Sequence, residues 1–163
     1  MKDSIQTSNG QIRIAEESDM HEVHRLVNEL AVYEKAPEEH WQTPEGYVRD
    51  YRSNAFECDL LELGGEVIGL LLYFEAYSTW KGRTLYLDDF IITDKYRRMG
   101  FGEMLFQHFL KVAKKKNVVL IHWQVLEWNT PAIEFYKKYH SDFDQEWVNV
   151  KMILKAQDGS MIS

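Results

Sequence analysis

The most informative part of the sequence is residues 85–102, LYLDDFIITDKYRRMGFG. Its first half belongs to an apolar run over residues 84–92 that is rich in β-forming residues and predicts a strand. Its last six residues, RRMGFG, form a short turn that opens an amphipathic helix. Backbone N–H groups at a helix start lack internal partners and lie at the positive end of the helix dipole. Glycines let a ligand approach this backbone, so the turn has the properties of a pyrophosphate-binding site.

Other phosphate-binding motifs do not fit this turn. A Walker loop requires G-x-x-x-x-G-K-[ST], which occurs nowhere in the sequence. A Rossmann fingerprint requires a third glycine, and Leu105 stands at that position. Two glycines spaced G-x-G are weak support alone, because any strand-to-helix turn can need them. What remains is the pattern R-x-x-G-x-G after a strand.

Three further helices are predicted around this segment. The first has its apolar face from Met20 to Ala31, with Ser18 or Asp19 as the N-cap residue. The second begins at Thr43-Pro44-Glu45, which combines a capping residue, a proline at the first helical position and an acid in the first turn. The third covers residues 131–139 and also has proline in its first turn.

The remaining elements read as strands. Gly64-Gly65 is a hairpin signal between two strand-like runs. The predicted strands cover residues 11–16, 58–63, 66–77, 84–92, 118–125 and 147–153. Their order among the helices predicts a mixed α/β fold with an antiparallel N-terminal half and a parallel crossover in the middle. We expect one domain over residues 11–155, with polar tails at 1–10 and 156–163.

Composition limits the classes of function. The 163 residues carry a net charge of −7 and are 45% hydrophobic, which predicts a folded core and argues against nucleic acid as a partner. An acidic surface suits cationic substrates, although many soluble proteins are mildly acidic. Cys58 is the only cysteine, so an intrachain disulfide is impossible. The longest apolar runs are far shorter than the roughly 20 residues of a membrane span, so we expect a cytoplasmic protein without a membrane partner.

Two motifs together resemble a known family. Arg97-x-x-Gly100-x-Gly102 resembles the acetyl-CoA signature of the GNAT superfamily of N-acetyltransferases, [RQ]-x-x-G-x-[GA]. Asn129-x-x-Ala132-x-x-x-Tyr136 resembles the family's second signature. With LYLDDF at 85–90 and LAVYE at 30–34, the sequence is most similar to the spermidine/spermine branch, which includes diamine and thialysine N-acetyltransferases. The resemblance covers roughly residues 12–153.

The resemblance implies the GNAT fold, in which a central mixed sheet contains a splayed parallel pair. It also implies direct transfer of an acetyl group from acetyl-CoA to a primary amine of a small polyamine-like or lysine-like substrate, without a metal, by a homodimer. The cofactor-binding positions that it implies are Phe90, Ile91, Ile92, Arg97, Arg98, Met99, Gly100, Phe101, Gly102, Glu103, Asn129, Thr130, Pro131, Ala132 and Tyr136. The substrate positions that it implies are Tyr33, Glu34, Trp80, Asp88, His122, Trp123 and Gln124.

Amine acetylation requires a base, because a primary ammonium has a pKa of about 10.4 and is almost wholly charged at pH 7. A carboxylate can bind this cation and assist its deprotonation. Asp88 and Asp89 are the candidates on the central strand, and strand alternation predicts that they face opposite sides of the sheet. The resemblance selects Asp88, at a position where the branch has a glutamate. This sequence is one methylene shorter there, which brings direct contact with the amine into question.

Tyr136 matches the tyrosine that protonates the departing thiolate in the family. A phenol with a pKa of about 10 is suited to general acid catalysis. Its neighbour Phe135 is expected to pack in the core. No Cys or Ser lies in a nucleophile motif, so attack by the amine is expected to be direct.

Two other functions remain open from the sequence. One is a non-catalytic acyl-CoA sensor, against which the matched Tyr136 argues. The other is acetylation of protein lysines or N-termini, against which the acidic and aromatic substrate positions argue. Polyamine use is less secure than acetyl transfer, because Ser78 lies near a position where polyamine enzymes often carry an acid. His21 and His24 share a helix face without a third metal ligand, and we interpret both as surface residues.

Overall fold

The computed structural model describes residues 9–155 and 158–161. Its described part holds one mixed sheet of five strands and four α-helices. The strands are β1 (Gly10–Ile14), β2 (Glu57–Leu63), β3 (Glu66–Ser78), β4 (Gly82–Ile92) and β5 (Leu120–His122). The helices are α1 (Met20–Tyr33), α2 (Pro44–Arg52), α3 (Phe101–Lys115) and α4 (Thr130–Lys137). Strands β1 to β4 pair antiparallel in chain order, and β4 pairs parallel with β5, which confirms the predicted mixed α/β fold.

The chain divides into two compact units. The first, Met1–Gln124, holds the sheet with α1, α2 and α3, and the second, Val125–Ser163, holds α4. A single domain over residues 11–155 stays a prediction. Most of the predicted polar tails, 1–10 and 156–163, lies outside the described residues.

Helices cover both faces of the sheet in the first unit. Residues of α1 such as Met20 and Leu26 share a buried cluster with Leu60 of β2 and Leu72 of β3. On the other face, the Phe109 ring of α3 lies 5.1 Å from the Tyr73 ring of β3. Burial of each large apolar side chain contributes about 1.5–3 kcal/mol, so this packing holds β3 and β4 rigidly in the middle.

A buried polar contact ties α3 to the sheet. The Asp59 carboxylate of β2 accepts a hydrogen bond from the Tyr73 hydroxyl at 3.1 Å and lies 3.1 Å from Nε2 of His108. Burial raises the pKa of Asp59. Sequence patterns gave no reason to single out His108, because its partner is 49 residues away along the chain. Cys58 is buried, as its apolar surroundings predict.

Local signals were accurate at the hairpin and at the start of α2. Gly64 and Gly65 both have positive φ angles, 59° and 83°, as a tight hairpin turn requires. The Thr43 hydroxyl accepts a hydrogen bond from the Gly46 N–H at 3.1 Å, with Pro44 in the first turn. Asp19, one of the two predicted residues, is the N-cap residue of α1, but its side chain bonds no amide of this helix. Asp19 instead closes a preceding 3₁₀ turn, accepting a hydrogen bond from the Glu16 N–H at 2.7 Å.

Two strand predictions in the C-terminal part need correction. The strand predicted over 118–125 is only Leu120–His122, and it is largely exposed rather than buried, because it pairs with β4 alone over three residues. No strand covers 147–153 among the described residues. Trp147 and Val150 in that segment are 72% and 91% exposed. A strand needs a neighbour for its backbone groups, and apolar β-forming side chains alone do not supply one.

Candidate active site

The β4–α3 turn has the geometry of an anion-binding site. Gly100 adopts the left-handed conformation, φ 86°, and stands at the N-cap position of α3. The main-chain N–H groups of residues 100–103 donate no hydrogen bond to any described residue. These four donors lie at the positive end of a 15-residue helix. A Cβ built on Gly102 would lie 3.8 Å from the side chains of Phe90 and Ile92, so this part of the turn packs directly on β4.

The two arginines of the turn differ sharply. The Arg97 side chain is used inside the protein: its Nε donates to the Ile92 carbonyl at 2.8 Å, and its Nη1 donates to Asp94 at 3.2 Å. Its guanidinium also lies over the Tyr33 ring, 4.5 Å from the centroid. Arg98 is exposed and has a positive φ of 61°. Of the two side chains, that of Arg98 is therefore the one available to a phosphate, and the Arg97 side chain fastens the turn.

Glu29 of α1 is a part of this turn that sequence reasoning missed. Its carboxylate accepts hydrogen bonds from the Thr93 hydroxyl at 2.5 Å and from the Asp94 N–H at 2.9 Å. The bonds join residues 64 and 65 positions apart, so no local pattern could have indicated them. Together with Arg97, Glu29 fixes the exit of β4 against α1.

A β-bulge lies at Asp88 and Asp89, within the paired part of β4. Leu72 of β3 pairs with Asp89, and the next residue, Tyr73, pairs with Leu87, so Asp88 is the extra residue. The bulge interrupts strand alternation at this point, so the regular pattern from which opposite faces were predicted for the two acids does not hold here. Burial, followed by the charges of both acids, raises the pKa of Tyr47 on α2. The charges of both carboxylates therefore act on the same residue, Tyr47.

Three carboxyl groups share this region. Burial, the Asp88 charge and the Glu34 charge raise the pKa of Asp89 to about 7. Glu34, at the C-terminal end of α1, also has a raised pKa because of burial. The side chain of Asp88 is accessible, yet the protein atoms around it exclude enough water to raise its pKa. Carboxylates that lie close together and are poorly hydrated are strongly stabilised by a bound cation.

Aromatic rings extend the region along β4 and β5. The Tyr86 ring stacks on Phe74 at 5.2 Å and meets the His122 ring edge-on at 4.9 Å. Burial lowers the pKa of His122, which favours the neutral imidazole. Trp123 follows β5 and contacts Phe106 of α3 at 5.9 Å. Tyr86 was not among the predicted substrate positions, although it precedes the two acids by only two and three residues.

Trp80 is the predicted substrate residue that the structure leaves apart. It lies in the β3–β4 turn and is 84% exposed. Asp88 lies six positions along β4 from Gly82, the first residue after that turn, which corresponds to roughly 20 Å along a strand. The nearby Ser78 hydroxyl accepts hydrogen bonds from the N–H groups of Trp80 and Lys81, so it stabilises the turn. Gln124 follows β5 at the end of the first unit and is exposed.

A second missed feature is a ring cluster behind the acids. His40 Nε2 lies 3.3 Å from the Tyr47 hydroxyl, and the His40 ring lies 4.8 Å from the His24 ring. Burial and the neighbouring His24 lower the pKa of His40. His24 was predicted as a surface residue, but this contact makes it half-buried, whereas His21 is exposed as expected.

The second signature lies in the second unit, at the start of α4. The Asn129 side chain accepts a hydrogen bond from the Ala132 N–H at 3.4 Å and so caps the helix that Thr130 and Pro131 begin. Tyr136 is buried, 7% exposed, and its ring lies 5.5 Å from that of Phe135. The Tyr136 carbonyl accepts a hydrogen bond from Ser141 at 3.0 Å. The asparagine and alanine of the motif thus have a local structural role, whereas its tyrosine is held in place by burial.

A helix N-terminus with unbonded amides follows a bulged strand that carries paired acids, and this arrangement suits a phosphate-bearing ligand next to a cation. The chain belongs to the acetyltransferase (GNAT) family, whose profile matches residues 20–141. It is an N-acetyltransferase. The predicted similarity to the spermidine/spermine branch, which includes thialysine N-acetyltransferases, is confirmed. The described residues contain no cluster of three His, Cys, Asp or Glu side chains arranged as a metal site, and no helix long and apolar enough to cross a membrane.

Thialysine N-epsilon-acetyltransferases are among its curated relatives. That of Caenorhabditis elegans is 34% identical over 111 residues, covering 68% of this chain and 69% of the relative. That of Bos taurus is 34% identical over 136 residues, covering 77% of this chain and 80% of the relative. A solved aminoglycoside acetyltransferase from a soil metagenome superposes with a TM-score of 0.74 over 91% of this chain and 98% of that chain. At 16% identity this last likeness shows the fold alone.

Proposed function

We propose that the protein transfers an acetyl group from acetyl-CoA directly to the terminal amine of a small lysine-like or polyamine-like substrate. The three carboxyl groups of Glu34, Asp88 and Asp89, grouped where water is scarce, are the observation that carries this proposal. A lysine-like amine is the favoured class, because the thialysine acetyltransferases are relatives. In addition, position 78, near which polyamine enzymes often carry an acid, holds a serine whose hydroxyl is bonded within a turn.

The β4–α3 turn is suited to acetyl-CoA. Four unbonded amides at residues 100–103 and a left-handed Gly100 form a cradle for a diphosphate, and the exposed Arg98 adds a positive charge. In this proposal the main chain of Phe90–Ile92 and the segment Asn129–Ala132 hold the pantetheine arm. Bound acetyl-CoA supplies a thioester whose carbonyl carbon is open to attack by an amine.

The paired aspartates are proposed as the base. A carboxyl group with a pKa of about 7 is poised to accept a proton at neutral pH, whereas an ordinary aspartate is too weak a base. Because the two groups interact, they take up one proton as a pair. Asp88 is the accessible member, so we assign it the contact with the amine, directly or through water. Glu34 and Asp89 hold the positive charge of the ammonium before the proton leaves.

Tyr136 is proposed as the acid that protonates the departing sulfur. A thiol with a pKa of about 8.5 is a poor leaving group as a bare thiolate beside acidic residues, and a phenol of pKa about 10 can supply the proton. Burial of Tyr136 keeps its hydroxyl in one position and limits exchange with water. The support for this role is the complete second signature.

A panel of amines tests the proposal. Purified protein is incubated with acetyl-CoA and, separately, with thialysine, lysine, spermidine, putrescine and a lysine-containing peptide, and release of free CoA is measured. We expect the highest kcat/KM with thialysine or lysine. Acetylation of the peptide alone would contradict the small-amine proposal, and absence of any product, with CoA binding equal in wild type and Tyr136→Phe, would favour the sensor.

We also propose that the protein acts as a cytoplasmic homodimer. The exposed apolar side chains of residues 147–154 support the dimer, because exposed apolar surface marks contact sites between proteins. Light scattering at several concentrations tests the oligomeric state.

A further inference from the structure

Arg97 lies between the turn that is proposed to bind acetyl-CoA and the end of α1 that is proposed to bind the amine. On one side its guanidinium holds the turn that precedes α3, through the Ile92 carbonyl at 2.8 Å and the Asp94 carboxylate at 3.2 Å. On the other side it lies over the ring of Tyr33, 4.5 Å from the centroid. Tyr33 is the last residue of α1, and the next residue, Glu34, is one of the three acids of the amine region.

Glu29 makes a second connection between the same two elements, one helical turn before Tyr33. Its carboxylate accepts from Thr93 and from the Asp94 N–H, and one of its oxygens lies 4.0 Å from Nη2 of Arg97. The end of β4, the turn and the C-terminal end of α1 are therefore held by one set of charged and aromatic contacts. These contacts link the position of the turn to the Tyr33–Glu34 end of α1.

We propose that Arg97 is a positioning residue whose guanidinium makes acetyl-CoA binding and amine binding mutually dependent. It holds the turn in the shape that binds the diphosphate, and it holds Tyr33 and Glu34 in the place where they meet the amine. This inference rests on the proposed function, and it adds a role for the first residue of the R-x-x-G-x-G motif that does not involve contact with either ligand.

The guanidinium is well suited to this role because it is planar and has several donors in a fixed arrangement. It can stack on an aromatic ring while donating in its own plane to a carbonyl and a carboxylate. A lysine has a compact ammonium, which can make one of these contacts well but not all of them. Arg97→Lys is therefore expected to lose part of the coupling, and Arg97→Gln is expected to lose nearly all of it.

The test compares Arg97→Gln with Arg98→Gln, which removes the same charge one residue later from an exposed position. Acetyl-CoA affinity is measured by calorimetry, and the amine KM is measured at saturating acetyl-CoA with the best amine of the panel. Arg97→Gln is expected to raise the amine KM about fivefold or more, a size typical of losing a partly buried cation–π contact. Arg98→Gln is expected to weaken acetyl-CoA binding and leave the amine KM unchanged. An equal rise in amine KM in both variants would overturn the proposal, because general charge would then explain it.

A reciprocal measurement does not depend on turnover. Tyr33→Leu removes the ring over which the Arg97 guanidinium lies, so it is expected to weaken acetyl-CoA binding about two- to fivefold in calorimetry, with Arg97 still present. Unchanged acetyl-CoA affinity in this variant would refute the coupling even if the protein acetylates amines. If no amine in the panel is acetylated, the proposed function fails while this binding measurement still decides the coupling. Should Arg97→Gln fail to fold, Arg97→Lys takes its place, with a smaller rise in amine KM expected.

Discussion

Gly100 is the residue on which the turn depends most directly. Its φ of 86° is open to glycine and strained for other residues, and its N–H is one of the four unbonded donors. We expect Gly100→Leu to abolish acetyl-CoA binding in a calorimetric titration, because the side chain would strain the backbone and enter the cradle.

Gly82→Leu is the matched control for this change. Gly82 also has a positive φ, 103°, and an added Cβ there meets no atom within 4 Å. It begins β4, at the opposite end of the strand from the β4–α3 turn, so the control introduces backbone strain away from that turn, and we expect a lowered Tm with unchanged acetyl-CoA affinity. Tight binding by Gly100→Leu would show that the diphosphate is held elsewhere.

The raised pKa of Asp89 makes a prediction about stability and pH. Because the folded value of about 7 lies above the ordinary value of 3.8, the folded protein binds a proton that the unfolded chain releases. The contribution of Asp89 to the free energy of unfolding is fully present below about pH 4 and is lost as the pH rises through about 7. We expect Asp89→Asn to raise the Tm at pH 8 by about 3 °C or more and to have little effect at pH 4, measured by circular dichroism.

Asp142→Asn serves as the control for Asp89→Asn, since Asp142 is exposed. It should change the Tm equally at both pH values. A Tm gain for Asp89→Asn that is the same at pH 4 and pH 8 would mean that the folded carboxyl titrates normally. Asp89→Asn should also lower kcat strongly, because it removes one of the two aspartates that together form the proposed base.

Tyr136→Phe separates catalysis from packing. The ring is retained and only the hydroxyl is lost, so we expect acetyl-CoA affinity to be retained while kcat falls about 10²-fold. Tyr77→Phe, at a side chain that is exposed on β3, should leave kcat unaltered. Full activity of Tyr136→Phe would remove this residue from the proposed mechanism.

Residues whose roles follow from local spacing could be predicted from the sequence, and residues with distant partners could not. The Thr43 hydroxyl bonds an amide three residues away, and the start of α3 at Gly100 follows from the glycines of its own turn, so local motifs were sufficient for both. Glu29 and the inward-facing side chain of Arg97 depend on contacts across the fold, and their roles appear only in three dimensions.

Among the elements, β4 shows why periodicity alone misplaced the two acids. Its apolar run from 84 to 92 reads as a regular strand, and one extra residue at Asp88 reverses the alternation from there on. Nothing in the composition of the run marks the bulge, because it depends on the register with β3. In a regular strand, Asp88 and Asp89 would lie on opposite faces of the sheet. The bulge instead allows the two carboxylates to share one environment.

The strands of the sheet should differ in local stability. Strand β3 lies between two antiparallel neighbours and is buried from Val67 to Tyr73, whereas β5 is largely exposed and pairs with β4 over three residues. In native-state hydrogen exchange, amides of Leu70–Leu72 should be protected about 10²-fold or more beyond those of Ile121 and His122. Equal protection of the two strands would show that β5 is held by contacts other than its pairing with β4.

At the scale of the whole molecule, the order of helices and strands was predictable because each boundary carries its own signal. Turn glycines, capping residues and apolar periodicity each act over a few positions, and they agree along residues 10–115. Beyond residue 115 the agreement was partial, because α4 has nearly its predicted bounds whereas β5 is shorter than predicted and no strand covers 147–153 among the described residues. The predicted strand over 147–153 failed because strand formation depends on a partner, which a one-dimensional pattern cannot supply.

The net charge of −7 predicts how the whole molecule attracts its substrate. An acidic protein concentrates cations near its surface, and salt screens this effect beyond a Debye length of about 10 Å at 0.1 M. The amine KM should therefore rise with ionic strength while kcat stays constant, and the rise should be steeper for spermidine than for lysine, whose carboxylate offsets one of its charges. Initial rates between about 0.02 and 0.5 M NaCl at saturating acetyl-CoA measure both slopes. Equal slopes for the two amines would mean that only the contacts at Glu34, Asp88 and Asp89 select the cation, and that the charge on the remaining surface has no part in it.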